Sequence, residues 1–283
     1  MKLTKKKLIE TLRQINEDKT SYQVRKVAGI TVRRVNQIKA EYLKIGEMPE
    51  IGKKVGRPRK MIEQWELDTV KEAYELYRVS ADTLERLIDR DYKKHIGHNR
   101  IHQILLELGY AEKGEFKARK KKYKKYERRH SLTAVHIDWH CFKGMWIFAV
   151  IDDASRKMLA LIETTNATTE ESKKGMEIAL KNGQIKQCIS DHGAQFVANI
   201  IDAEAEFTKF LKEKGIKQIL CRVRYPQSNG KIERWFNCYD RHREAFKTKE
   251  EFLHWYNDLR PHRSLKFNIL ETPSQAFIRK LKK

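Results

Sequence analysis

The chain has 283 residues, with 60 Lys and Arg against 38 Asp and Glu, for a formal charge of +22. Such an excess selects a polyanionic partner, and double-stranded DNA fits better than a membrane surface, because no basic amphipathic helix stands out. No apolar run reaches the roughly 18 residues of a bilayer-spanning helix, and Met1–Lys7 lacks the apolar stretch of a secretory signal. The expectation is a cytoplasmic protein whose four cysteines are reduced and act as small buried hydrophobes.

Residues 1–45 read as three short helices. Thr4 caps the first, with Leu8, Ile9, Leu12 and Ile15 as its apolar face, and Ser21 is expected to cap the second, through Val24, Val27 and Ala28 to Gly29. Thr31 caps the third, which sets Val32, Val35, Ile38 and Tyr42 on one face and Arg33, Arg34, Asn36 and Gln37 on the other. A short helix, a glycine turn and a helix with base-reading side chains outward is a helix-turn-helix layout; a plain three-helix bundle is the alternative. Residues 46–60 form a basic Gly/Pro linker, in which Arg57-Pro58-Arg59 suits a narrow minor groove or is simply solvated.

A second helix-turn-helix domain is expected over 61–112. Its helices use Trp65, Val70, Tyr74 and Tyr77, then Leu84, Leu87 and Ile88 after a Ser80 cap, then Ile101, Ile104, Leu105 and Leu108 up to Gly109. Asn99, Arg100 and Gln103 are its candidate DNA contacts. His95, His98 and His102 lack a carboxylate or cysteine spaced to complete a metal site. Over 113–130 the linker turns densely basic, and Lys120, Lys121, Lys122, Lys124 and Lys125 would bind phosphates without regard to sequence, through counterion release. A solvated tether is the alternative there.

From residue 131 onward the texture changes to strands over Thr133–Phe142, Met145–Asp152 and Lys157–Glu163. A helix capped by Thr168 or Thr169, a strand at Ile185–Ser190, a helix at Ala203–Lys214 and a strand at Ile216–Val223 follow. Helices over Gln227–Phe246, Lys249–Leu259 and Pro273–Lys282 finish the chain. The fold class is therefore α/β (α+β), a ribonuclease-H-like mixed sheet flanked by helices, preceded by two all-α domains. The catalytic core with its C-terminal helices occupies 131–283.

Three carboxylates carry the chemistry. Asp138 sits inside an apolar strand, where an unpaired acid is expensive. Asp191 closes a second strand and Glu233 opens a helix. Such a trio suits two divalent ions that activate an attacking oxygen and stabilise a leaving one at phosphorus. Mg²⁺ is expected, Mn²⁺ is its expected substitute, and Asp138 would bridge the pair. Asp152 and Asp153 are rival acids whose alternative is a turn role.

These residues resemble a known family. His136-Ile137-Asp138, Ile151-Asp152-Asp153-Ala154-Ser155-Arg156, Ser190-Asp191-His192-Gly193-Ala194-Gln195-Phe196 and Pro226-Gln227-Ser228-Asn229-Gly230-Lys231-Ile232-Glu233-Arg234 are similar to the DDE transposases of bacterial and archaeal insertion sequences, which share a catalytic core with retroviral integrases. Trp255–Leu265 and Thr272–Phe277 look like the family's tail. The resemblance implies 3′-end cleavage and strand transfer, a homo-oligomer pairing two element ends, a prokaryotic nucleoid setting and no nucleotide cofactor. It also implies DNA-positioning roles for Asn229, Lys231 and Gln195, with Lys231 reaching the scissile-strand phosphate; a solvated lysine at the helix start is the alternative. One departure is the interval from Asp191 to Glu233, which is longer than the integrase-like pattern and locates extra residues near Ala198–Glu206. The alternatives are a nuclease of the same fold, or a DNA-binding regulator derived from a transposase.

Overall fold

The computed structural model describes residues 3–51, 60–112, 128–197, 204–221 and 229–282. The expected minor-groove hook (Arg57, Arg59), the lysines at 120–122, 124 and 125, and most of the extra segment before Glu206 lie outside them. The chain divides into two compact units, residues 1–61 and 62–283.

In the first unit, helices α1 (Lys5–Asn16), α2 (Ser21–Ala28) and α3 (Val32–Ile45) enclose a small core of Leu8, Leu12, Ile15, Val24, Val35 and Ile38. Thr4 and Thr31 cap α1 and α3 through their side chains. The cap of α2 is Thr20, not Ser21: its hydroxyl accepts from the Gln23 amide while the Gln23 side chain accepts from Thr20 N–H. A Ser/Thr followed three residues later by Gln satisfies two orphan donors at once, which outcompetes a lone Ser21 hydroxyl. Ile9 and Val27, expected on apolar faces, are exposed instead.

The second unit begins with α4 (Gln64–Tyr77), α5 (Ala81–Asp91) and α6 (His98–Glu107), packed through Val70, Ala73, Leu84, Leu87, Ile88, Ile101 and Ile104. This bundle does not stand apart from the core. Phe267 and Leu270, from the far end of the chain, pack into it, and Trp255 donates its indole N–H to the Tyr77 carbonyl at 3.1 Å.

The sheet contains β1 (Val135–Phe142), β2 (Met145–Asp152), β3 (Met158–Thr164), β4 (Gln187–Ser190) and β5 (Lys217–Leu220), in the order β3-β2-β1-β4-β5. The first three form an antiparallel meander, and β4 and β5 run parallel to β1 and to each other. This is the ribonuclease-H-like arrangement, a mixed sheet with flanking helices. Side-chain alternation decides which face each residue meets. Val135, Ile137, Phe148 and Val150 pack with Met176 and Ala179 of α7 (Thr169–Leu180) and with Phe207 and Leu211 of α8 (Glu206–Glu213). Gly175 of α7 is required there, because a Cβ would lie 2.4 Å from the Phe148 ring. Ile147, Ala149 and Ile151 face the other way, against Ile232, Trp235, Phe236 and Tyr239 of α9 (Gly230–His242).

Helix α9 is tied down at both ends. Lys231 makes an ion pair with Asp153, and Arg243 grips Glu163 of β3 at 2.6 and 3.2 Å, with the Tyr239 hydroxyl donating to the same carboxylate. Beyond it, α10 (Lys249–His254) passes into a π turn at Trp255–Leu259, and α11 (Pro273–Lys280) closes the chain. The buried Asn257 of the π turn donates to Met158 O and accepts from Met158 N, acting as a strand partner beside the β-bulge at Val150/Ile151. Of the cysteines expected to be buried, Cys141 is exposed, because it lies near the hairpin end of β1.

Candidate active site

Asp138 lies at the middle of β1, opposite Ala149 of β2, on the face that meets α9. Parallel pairing sets His136 opposite Ile189; two residues further along the same register Asp191 follows the end of β4, beside Asp138. Glu233 stands exposed in the first turn of α9. Sheet register thus sets Asp138 and Asp191 on neighbouring interior strands, and α9, with Glu233 in its first turn, packs against the face that carries Asp138.

The electrostatics report the same proximity. Burial, then the negative charge of Asp191, and further the charge of Glu233, raise the Asp138 carboxyl to about 7, against hydrogen bonds that favour its charged form. Those bonds come from Trp139 N–H at 2.8 Å and the Asn229 side-chain amide at 2.7 Å. Like charges disfavour ionisation of the most buried member of such a group. Asp191 accepts from Gly193 N–H at 2.9 Å, which turns the chain sharply after β4. Among the described residues, no three His, Cys, Asp or Glu side chains are gathered tightly enough to hold one metal ion. The donor set is nonetheless that of hard cations: carboxylate oxygens, with the Asn229 Oδ1 beside them buried and unpartnered among the described residues.

The rival acids are spoken for. Asp152 accepts from Leu132 N–H, Ser155 N–H and the Ser155 hydroxyl, so it organises the turn after β2. Asp153 is fully buried and accepts from Arg128 N–H, from His136 Nε2 at 2.8 Å and from Lys231 Nζ at 2.5 Å. Burial alone would raise its pKa; His136 and Lys231 outweigh that and hold it well below the usual carboxylate range. Burial in turn lowers the His136 pKa. The Lys231 ammonium, expected to reach a scissile phosphate, pairs with Asp153. Asn229, also expected to position DNA, is buried and donates to Asp138.

Among the expected DNA contacts, Arg33, Arg34, Asn36 and Gln37 are exposed on α3. Asn36 accepts a hydrogen bond from the Ser21 hydroxyl, and Arg34 donates to Gln37. In the second bundle Asn99 is exposed, whereas Gln103 is half-buried and donates to Glu107. The Arg100 guanidinium makes a two-pronged pair with Glu66 at 3.1 and 2.6 Å, pinning α6 to α4. The histidines questioned as metal ligands face acids instead, with His95 on Asp89 and His98 on Glu85.

Residues 128–226 match the family model described as "Integrase core domain". A protein of Spiroplasma virus SpV1-C74 that is named an integrase, ORF3, is 28% identical over 184 residues. That match covers 55% of this chain and 51% of the viral protein, so the chain spans about half the length of that relative. The catalytic core domain of BIV integrase superposes with a TM-score of 0.42 at 16% identity, over 52% of this chain and 95% of that one.

Proposed function

We propose that this chain is a metal-dependent polynucleotidyl transferase, a transposase that cuts DNA at the 3′ ends of an element and joins those ends to a target. The observation that carries the reading is the placement of Asp138 in the middle of β1, with Asp191 at the end of the neighbouring β4 and Glu233 in the first turn of α9, where burial and the charges of Asp191 and Glu233 push the Asp138 carboxyl up to about 7. A sheltered site that gathers several carboxylates, with only amide donors on its central acid, is built for an external cation. The match of residues 128–226 to the integrase core family supports the same chemistry.

Asp138 would be shared between two ions, with Asp191 completing one and Glu233 the other, so that each ion draws on only two protein carboxylates. When bound, Mg²⁺ supplies Lewis acidity at the attacking and leaving oxygens of an in-line displacement. The protein's part is to hold Asp138 ionised and aimed: Trp139 N–H and Asn229 each fix one of its oxygens. Lys231 and Arg243 hold the helix that carries Glu233. In strand transfer the 3′-hydroxyl oxygen forms one P–O bond as another breaks, and the hydroxyl proton leaves to solvent as the departing 3′-oxygen gains one. Bond type is conserved, so no nucleotide cofactor is needed.

The test supplies purified full-length chain with Mg²⁺, a supercoiled plasmid and duplexes ending in the DNA that flanks its own coding sequence. Plasmid joined to duplex is the expected product. Cut but unjoined DNA would make the protein a nuclease, and stable binding without cleavage in either Mg²⁺ or Mn²⁺ would make it a regulator.

A further inference from the structure

A cleft of about 570 Å³ opens within the second unit, between the α4–α6 bundle and the flank of α9. Arg78 from the end of α4, Arg234 and Arg241 from α9, and Arg260 and Arg263 from the segment after the π turn all line it. No Asp or Glu does, among the described residues. Four arginines elsewhere in this unit do have carboxylate partners: Arg243 has Glu163, Arg279 has Glu271, Arg100 has Glu66 and Arg90 has Asp91. Of the cleft arginines, Arg263 pairs with Asp82 at 3.0 Å, and Asp82 is not part of the lining.

The Nε atoms of Arg78 and Arg260 are buried and find no hydrogen-bond acceptor among the described residues. Their guanidiniums lie over aromatic faces instead, Arg78 on Phe246 and Arg260 on Trp255 and Tyr256. Arg78 is held in a left-handed backbone conformation, φ 46°, where glycine is the ordinary residue. His242, also in the wall, is pushed down to about 4, first by burial and then by Arg260, Arg78 and Arg241. Three guanidiniums therefore act on one imidazole, and no carboxylate lines the cleft to relieve them, among the described residues.

We infer that this cleft is a docking site for the phosphodiester backbone of duplex DNA, leading the strand away from the acid trio. Arginine forks match phosphate oxygens in pairs, and the unpaired donors lack only acceptors. Position supports DNA over a small anion. Arg234 directly follows Glu233, and Arg241 lies seven residues further, about 10 Å along the helix, which is about three nucleotide steps of one strand. Both are exposed, on the side of α9 turned from its buried stripe. The inference rests on the strand-transfer reading, and it supplies that reading with a path for the DNA beside the acids.

The test measures affinity of the full chain for a fluorescent 30-base-pair duplex of arbitrary sequence against salt concentration, in Ca²⁺ so that no cleavage intervenes. Neutralising one phosphate-binding cation lowers the slope of log K on log [salt] by about 0.9. The double variant Arg234→Ala/Arg241→Ala should lower it by about 1.8, with an unchanged thermal midpoint. Arg234→Lys/Arg241→Lys should restore most of the slope. Lys186→Ala/Lys217→Ala, at the opposite end of β4 and β5 from Asp191, should leave it unchanged. A wild-type slope retained in the alanine pair, or an equal fall in the lysine control, overturns the cleft while leaving the strand-transfer reading standing. If the wild-type chain binds no duplex, both are overturned.

Discussion

Two carboxylates sheltered from solvent face the first turn of α9, and their surroundings have driven them in opposite directions. Asp138 meets Trp139 N–H and Asn229 on one side and Asp191 and Glu233 on the other, two neutral donors against two like charges, and burial with those charges raises its carboxyl to about 7. Asp153 meets Lys231, His136 and a backbone N–H, and its carboxyl is held well below the usual range. Both groups lose hydration, so desolvation does not separate them. The sign of the neighbours does. Asp153 is a finished structural node that fastens the helix to the end of β2; Asp138 is left in deficit, and a cation from solution has to complete it. The same turn of α9 serves both, since Asn229 and Lys231 are two residues apart.

The largest expected effect breaks the comparison from the Asp138 side. Asp138→Asn should cut Mg²⁺-dependent joining roughly 10⁴-fold, about 5 kcal/mol of barrier, because a neutral amide cannot bring two cations to phosphorus. DNA affinity in Ca²⁺-free buffer should stay within about twofold in a band-shift assay, since one acid among 38 changes little of the +22 field. Urea unfolding of the metal-free variant at pH 8 should show equal or greater stability than wild type, since one member of a like-charge group is gone. Joining at the wild-type rate would remove Asp138 from the site.

Asp153→Ala is the mirror experiment. It takes the carboxylate from the Lys231 ammonium, which is mostly buried, and from the His136 ring nitrogen. Removing one partner of a buried pair costs about 3–5 kcal/mol. Urea midpoints measure this directly, and loss of stability should be the whole effect on DNA joining at low temperature. A variant as stable as wild type would show that the Lys231 pair contributes nothing to the fold.

Titration sharpens the contrast. Asp138 rises from 3.8 unfolded to about 7 folded, so between those values the folded chain keeps a proton that the unfolded chain has released. Unfolding free energy of the metal-free protein therefore falls as pH climbs from about 4 to about 7, by on the order of 2–4 kcal/mol. Asp153, whose folded value is depressed, contributes the other way: its stabilisation is present at neutral pH and is lost as pH falls below about 4. Metal ligands bind deprotonated, so millimolar Mg²⁺ should raise the thermal midpoint at pH 8 and hardly at pH 5. A midpoint gain independent of pH would place the ions elsewhere.

How much of this was legible in the sequence follows from how local each cause is. The meander was readable because Val135 and Ile137 alternate with His136 and Asp138 along β1 while β2 and β3 are nearly continuous apolar runs, and the Thr168 cap of α7 stands within three residues of the amide it serves. Strands β4 and β5 came out shorter at their starts than the apolar runs, because Ile185 and Ile216 are buried by helices before pairing begins. An acid inside an apolar strand marked Asp138. The turn at Asp152-Asp153-Ala154-Ser155 set Asp153 apart from it, but the partners that fix their opposite charge states lie 91 and 78 positions away. The same holds for Arg100, which resembles a base reader in a helix until Glu66, 34 residues earlier, is seen to hold it. The cleft arginines come from separate segments: Arg234, Arg260 and Arg263 lie in motifs that carry the resemblance, but nothing in those motifs shows that they share a wall with Arg78 and Arg241.

Asn229→Ala is the smallest and most discriminating change, because it touches the Asp138 side of the turn without altering charge. The amide donates to Asp138 Oδ2 at 2.7 Å and favours its ionised form, so removing it raises the Asp138 pKa further. The acid limb of the joining rate should therefore move to higher pH. At a pH well above that limb the rate should return to within a few-fold of wild type, a loss of about 0.5–1.5 kcal/mol at most, the worth of one hydrogen bond. Asn229→Asp sets the opposite condition, a fourth carboxylate beside three, and should weaken metal-free folding at pH 8 while Mg²⁺ recovers part of it. A side chain that merely caps α9 would lower stability in both variants and leave the pH profile where it was, and that result would detach Asn229 from the acids it touches.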